Sequence, residues 1–168
     1  MVIGRDPDIF TLITTSCEIN RNYLDEIERT LLKGVHHDDQ VVIDCEKGNY
    51  SLTKGSLKRL LPNQWFNDEI INGYVSLINL REKETGSGNV FCFNSFFYTL
   101  LESSLSKGQY DFKKLERIVT KKKVNLRNYK MILIPVNIQH YHWFVLAADL
   151  PRNTIYIIDS LNHLEEAA

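Results

Sequence analysis

Apolar residues at Tyr23, Leu24, Ile27, Leu31 and Leu32 fall at helical spacing and predict an amphipathic helix over Asn20–Lys33, closed by Gly34. The polar run His36 to Gln40 follows, so residues 1–40 read as an N-terminal extension and residues 41–168 as the domain proper. From Gln40 onward the pattern tightens. Val41-Val42-Ile43 and Asn49-Tyr50-Ser51-Leu52 predict two short strands around a turn at Lys47-Gly48. Thr53 is a cap for a short helix carrying Leu57, Leu60 and Leu61, which Pro62 stops.

Asn67 is placed to cap the next helix, with Asp68 and Glu69 in the first turn, where the dipole favours negative charge. Ile70, Ile71, Tyr74, Val75, Leu77 and Ile78 predict a wide buried face on it. Gly86-Ser87-Gly88 marks a loop and Val90 to Phe93 a short apolar strand. Asn94 or Ser95 caps a helix through Phe96, Phe97, Leu100 and Leu101, and Phe112, Leu115 and Ile118 fit one more. The last third is strand-like: Met131 to Val136, Trp143 to Ala148 and Thr154 to Ile158, with a loop over Asn137–Tyr141 and a turn at Asp149–Asn153. Such apolar runs predict strands buried on both faces. Helices of the first part can cover one face, and the sequence ends at Ala168 with little left for the other, which predicts an incomplete domain.

Bulk properties narrow the function classes. A length of 168 residues with 43% hydrophobic and 11% aromatic residues supports one packed domain. A net charge of -1 gives no support to nucleic-acid binding, and Lys113, Lys114 and Lys121 to Lys123 read as a solvated helix end or loop. No stretch approaches the ~20 apolar residues of a membrane helix. Met1 to Phe10 carries Arg5, Asp6 and Asp8 rather than a signal peptide, so the expected address is intracellular, with no membrane partner. Cys17, Cys45 and Cys92 form no disulfide framework, and the histidines His36, His37, His140, His142 and His163 lack metal-ligand spacing, so no metal is expected.

His142 opens one late strand and Asp159 closes the next. The short connection at Pro151 predicts a hairpin, which brings both to the same end of the sheet. A carboxylate there can accept a hydrogen bond from one imidazole N–H, leaving the other nitrogen to activate a thiol. On spacing alone, structural duty at two strand ends is the commoner reading.

Four blocks change that balance: Leu61-Pro-Asn-Gln-Trp-Phe-Asn-Asp-Glu-Ile-Ile71, Phe93-Asn-Ser-Phe-Phe-Tyr-Thr-Leu-Leu101, Ile132-Leu-Ile-Pro-Val-Asn137 leading to His142-Trp143, and Ile155-Tyr-Ile-Ile-Asp-Ser-Leu161. In this order, from Leu60 to Asn162, they resemble the first two thirds of the catalytic domain of the Ulp/SENP family of SUMO-type cysteine proteases. The resemblance implies an α+β, papain-like fold of the Ulp/SENP type, a small mainly antiparallel sheet with helices ahead of it. It implies His142 as catalytic base and Asp159 as its orienting carboxylate. Trp65 and Trp143 match tryptophans lining a narrow tunnel for a Gly-Gly tail, which selects by steric rejection. Asp68 matches an acidic contact with a basic residue of the modifier, although a helix-dipole role also fits.

The implied reaction is cleavage after the Gly-Gly of a SUMO-like or other ubiquitin-like modifier, with no cofactor or metal and a nuclear or cytoplasmic address, the nucleus by resemblance only. The family's oxyanion glutamine and Asp-Cys-Gly nucleophile lie beyond the Asp-Ser-Leu block, past Ala168. Cys45 and Cys92 read as buried, inert core thiols and Cys17 lies in the extension, so the expectation is a truncated catalytic domain, inactive alone. The alternative is a modifier-binding module that has lost its nucleophile.

Overall fold

The computed structural model describes residues 37–106, 109–121, 124–138 and 142–161. The helix predicted over Asn20–Lys33, Cys17 and nearly all of the 1–40 extension lie outside these residues. The first described element is a hairpin of β1 (Val41–Cys45) and β2 (Tyr50–Thr53), antiparallel, with Cys45 opposite Tyr50. Asn49 turns the corner in the left-handed region, at φ 50°, a conformation asparagine tolerates. Thr53 then caps α1 (Lys54–Leu57), its hydroxyl accepting from Ser56 N at 3.2 Å, and a 3-10 turn at Lys58–Leu60 completes the predicted short helix.

Asn67 caps α2 (Asp68–Thr85) as expected, its side-chain oxygen accepting from Ile70 N at 3.1 Å, and Gly86 ends the helix at φ 62°. The predicted wide apolar face of α2 is not what forms. Ile70, Gly73 and Val75 are buried, whereas Tyr74 and Leu77 are 67% and 46% exposed. The reason is that part of the inward stripe is polar and grips backbone. Asn79 Nδ2 donates to Cys92 O and Asn79 Oδ1 accepts from Cys92 N, both at 2.8 Å. Asn72 Oδ1 accepts from Ser95 N at 2.8 Å, and Glu82 Oε2 accepts from Asn89 N at 3.0 Å and Val90 N at 3.3 Å. On the hairpin side, Leu52, Leu57 and Ile70 form a small core. Gly73 allows that approach, because a Cβ there would stand 3.1 Å from Leu52 Cδ2.

The main sheet has the order β3-β6-β7-β8, formed by Val90–Cys92, Met131–Ile138, His142–Asp149 and Thr154–Ile158. β3 runs parallel to β6 and the other pairs are antiparallel. β6 continues two residues further than predicted, through Asn137 and Ile138. Between β3 and β6 come α3 (Phe96–Ser104), the two-residue strands β4 (Leu105–Ser106) and β5 (Gln109–Tyr110), and α4 (Phe112–Lys121).

Phe91, Phe93, Phe97 and Ile132 make the larger core, with Leu101, Val119, Ile134 and Ala148 packed around them. Phe93 stacks on Phe97 with centroids 3.6 Å apart, and Phe91 meets Phe93 edge-on at 5.1 Å. Thus α3 and α4 cover the side of the sheet that Phe91 and Phe93 face. Cys92 alternates to the opposite side, and α2 meets β3 at its outer edge through Asn79. At the far edge Ile155 remains 52% exposed.

Candidate active site

Sheet register brings the two candidate catalytic side chains together. β7 pairs with β6 from Met131–Asp149 to Ile138–His142, and with β8 from Asp149–Thr154 to Val145–Ile158. One step beyond that last pair, Asp159 falls opposite Phe144. His142 is two residues before Phe144 and so shares its face, which makes Asp159 the diagonal neighbour of His142. The contact is made: His142 Nε2 lies 2.8 Å from Asp159 Oδ1, with the side chains only 8% and 5% exposed. The same Oδ1 accepts from Leu161 N at 2.9 Å, an Asx turn that fixes the carboxylate as the chain leaves β8. With the proton on Nε2 directed at Asp159, the basic lone pair of a neutral His142 ring is on Nδ1.

Trp143 points to the other face, and its indole N–H donates to Phe66 O at 2.9 Å across 77 residues of sequence. That bond ties the segment before α2 to the strand bearing His142. Trp65, next to the anchored carbonyl, is 62% exposed and Phe66 47%. The N-terminus of α2 is held from several sides. Asn67 Nδ2 donates to Ser56 Oγ at 2.7 Å, and Ser56 Oγ donates to Glu69 Oε2 at 2.5 Å. Thr53 Oγ1 adds a bond to Glu69 at 3.1 Å. Together with the Ser56 hydroxyl, the chief cause, this keeps the Glu69 carboxyl below its usual range, with burial opposing. Asp68 is half-buried, and its Oδ1 accepts from Ser95 Oγ at 2.8 Å. That tie to the start of α3 has no signature in sequence.

Four of the five predicted site residues thus make polar contacts at defined places: His142 lies against Asp159, Trp143 donates to the Trp65-Phe66 segment, and Asp68 accepts from Ser95. Trp65 joins them through its neighbour's carbonyl. The Phe66 carbonyl carries no spacing signal, and the sequence marks Ser95 only as a candidate helix cap, not as a partner of Asp68. Neither of the described cysteines, Cys45 and Cys92, joins the site. Cys92 is buried as expected, and burial, reinforced by Glu82, pushes its thiol up to about 12. Its β6 partner Leu133 is five positions from Ile138, the partner of His142, or roughly 17 Å along the strand. Cys45 is half-buried on the hairpin rather than in the core, a correction to the sequence expectation. No three His, Cys, Asp or Glu side chains among the described residues are grouped as a metal site.

Comparison with known proteins identifies relatives of the chain. The pattern of the Ulp1 protease family, C-terminal catalytic domain, matches residues 64–167. The chain is 32% identical over 130 residues to the ubiquitin-like-specific protease ESD4 of Arabidopsis thaliana, covering 75% of this chain and 26% of that protein. It is 29% identical over 146 residues to ubiquitin-like-specific protease 1 of Saccharomyces cerevisiae, covering 87% and 21%. The solved C-terminal Ulp1 protease domain in complex with Smt3, the yeast ortholog of SUMO, superposes with a TM-score of 0.69 at 27% identity, over 89% of this chain and 61% of that one. The fold is the α+β fold of that domain. No helix among the described residues is long and apolar enough to cross a membrane.

Proposed function

This chain belongs to the Ulp1 protease family, and on that premise we propose that it carries the His–Asp half of a cysteine peptidase cleaving after the C-terminal Gly-Gly of a SUMO-like modifier. The observation that carries the reading is the enclosed contact of His142 Nε2 with Asp159 Oδ1 at 2.8 Å, at the sheet end where Trp143 holds the Trp65-Phe66 segment. A module that only binds has no use for an oriented, shielded imidazole, whereas thiol chemistry requires one.

The nucleophile in this reading is a cysteine C-terminal to Asp159 and outside the 168 residues. Nδ1 of His142 takes its proton, and the thiolate attacks the glycine carbonyl. The tetrahedral intermediate collapses to a thioester as His142 returns the proton to the departing amine. Water, deprotonated by the same Nδ1, then releases the modifier's carboxylate and restores the thiol. Asp159 holds the ring and balances its transient positive charge throughout. Trp65 and Trp143 form the walls past which a side-chain-free Gly-Gly tail can pass, and Asp68 offers its carboxylate to a basic residue of the modifier.

The test is covalent capture by the natural full-length protein of a SUMO-like modifier bearing a C-terminal thiol-reactive electrophile. Adduct formation should depend on His142. Labelling that proceeds unchanged in His142→Ala removes that residue from the chemistry.

A further inference from the structure

We propose that Asn137 is a further positioning residue of this site, its side-chain carbonyl oxygen accepting a main-chain N–H of the modifier's extended tail; the inference rests on the function proposed above. Asn137 stands on β6 in register opposite Trp143, so the two side chains share a face with Cβ atoms about 5 Å apart. The next position, Ile138, is opposite His142, so the amide stands one residue along the ladder from His142 and on the face that Trp143 occupies.

The Oδ1 atom of Asn137 is enclosed, and among the described residues no donor reaches it. Its register neighbour does not serve, because the Trp143 indole has a single N–H and gives it to Phe66. An enclosed acceptor without a donor has surrendered water and received nothing in return, so it opposes folding. Such groups are few in folded proteins and call for a partner or a function.

Location indicates the donor. An extended peptide running past Trp143 toward His142 offers main-chain N–H groups, and glycines have no side chain to hold them off the sheet. Trp65 and Phe66, which flank that approach, are 62% and 47% exposed, so little packing opposes their moving aside. An amide also suits the place, because it accepts an N–H without burying a charge beside Trp143.

The experiment titrates the purified chain with a mature SUMO-like modifier ending in Gly-Gly, and with the same modifier lacking those two residues. Wild type, Asn137→Leu and Asn137→Ala are compared, each with a thermal unfolding curve. Wild type should prefer the tailed form. Both variants should bind it about fivefold or more weakly and bind the tailless form as wild type does. Asn137→Leu should melt no lower than wild type, because an apolar side chain replaces an unsatisfied one. Equal tail preference in wild type and variants overturns the proposal, as does a wild type indifferent to the tail. Failure of both variants to fold assigns the amide to the core and also overturns it. A wild type that binds neither form removes the functional reading itself, a distinct result.

Discussion

Asp159 sits one residue past the last paired position of β8, diagonally across from His142 on β7, and it directs Oδ1 at Nε2 from 2.8 Å. The arrangement selects a tautomer. A proton on Nε2 faces Asp159, so in the function proposed above the nitrogen offered to a thiol is Nδ1 and not, as in the Ser-His-Asp arrangement, Nε2.

Nitrogen-15 spectra of the 168-residue chain should therefore show His142 at alkaline pH with a protonated Nε2 and an unprotonated Nδ1. Asp159→Ala should let the two forms mix. In the full-length enzyme Asp159→Asn should lower turnover by about three to four orders of magnitude, the scale seen when a triad carboxylate loses its charge. Nδ1-protonated His142 in the wild type would sink this assignment of roles.

The thiols give a second expectation. With its thiol pushed up to about 12 and 3% of the residue exposed, Cys92 is about one part in ten thousand thiolate at pH 8. Iodoacetamide should leave it untouched in the folded protein while alkylating the half-buried Cys45, with mass spectrometry locating the label. The 168-residue chain should accordingly show no turnover of a modifier fusion. Cleavage by the purified chain, lost in Cys45→Ser or Cys92→Ser, would contradict the proposed origin of the nucleophile.

Glu82 predicts an acid dependence. Burial raises its carboxyl, but hydrogen bonds from Ser87 Oγ, Val90 N and Asn89 N outweigh it and hold the group below its usual 4.5. A carboxyl lowered in the folded state contributes stability in full above its unfolded value, and loses it as pH falls through the folded one. Glu82→Gln should thus cost about 1–3 kcal/mol in urea unfolding at pH 7, and the gap to wild type should close below 4.5. A gap that widens on acidification reverses the sign of the argument.

Docking is tested at Trp65 and Asp68. Trp65→Ala should weaken modifier binding by about tenfold, in line with loss of an exposed aromatic anchor, without altering the melting temperature. Asp68 has two duties to separate, since its Oδ1 also accepts from Ser95. Asp68→Asn keeps that bond and removes the charge. Its affinity should fall, and its dependence on salt should flatten relative to wild type. Unchanged affinity in both variants would place the docking surface elsewhere.

Much of this was legible in the residues. The hairpin, the caps Thr53 and Asn67, and the three late strands follow from apolar period and turn chemistry, and the strand connection alone placed His142 near Asp159. The inward face of α2 was not legible. Its pattern reads as apolar because sequence shows which residues are hydrophobic, not which polar ones will find backbone to bind. Tyr74 and Leu77 face outward, while Asn72, Asn79 and Glu82 face in. The tie from Trp143 to Phe66 spans 77 residues and ends on a carbonyl that every residue type possesses. No local pattern encodes such a partner.

The grip of Asn79 on both backbone groups of Cys92 also concerns what the protein does in company. β3 is the edge of the sheet, and the N–H and C=O of Cys92 are the pair it turns away from β6. Left open, such a pair is a template on which a strand of another chain can build. A primary amide reproduces, in one side chain, the donor and acceptor that a neighbouring strand presents. Asn79 thus stands in for a neighbouring strand at Cys92, and that outward pair on β3 is already taken.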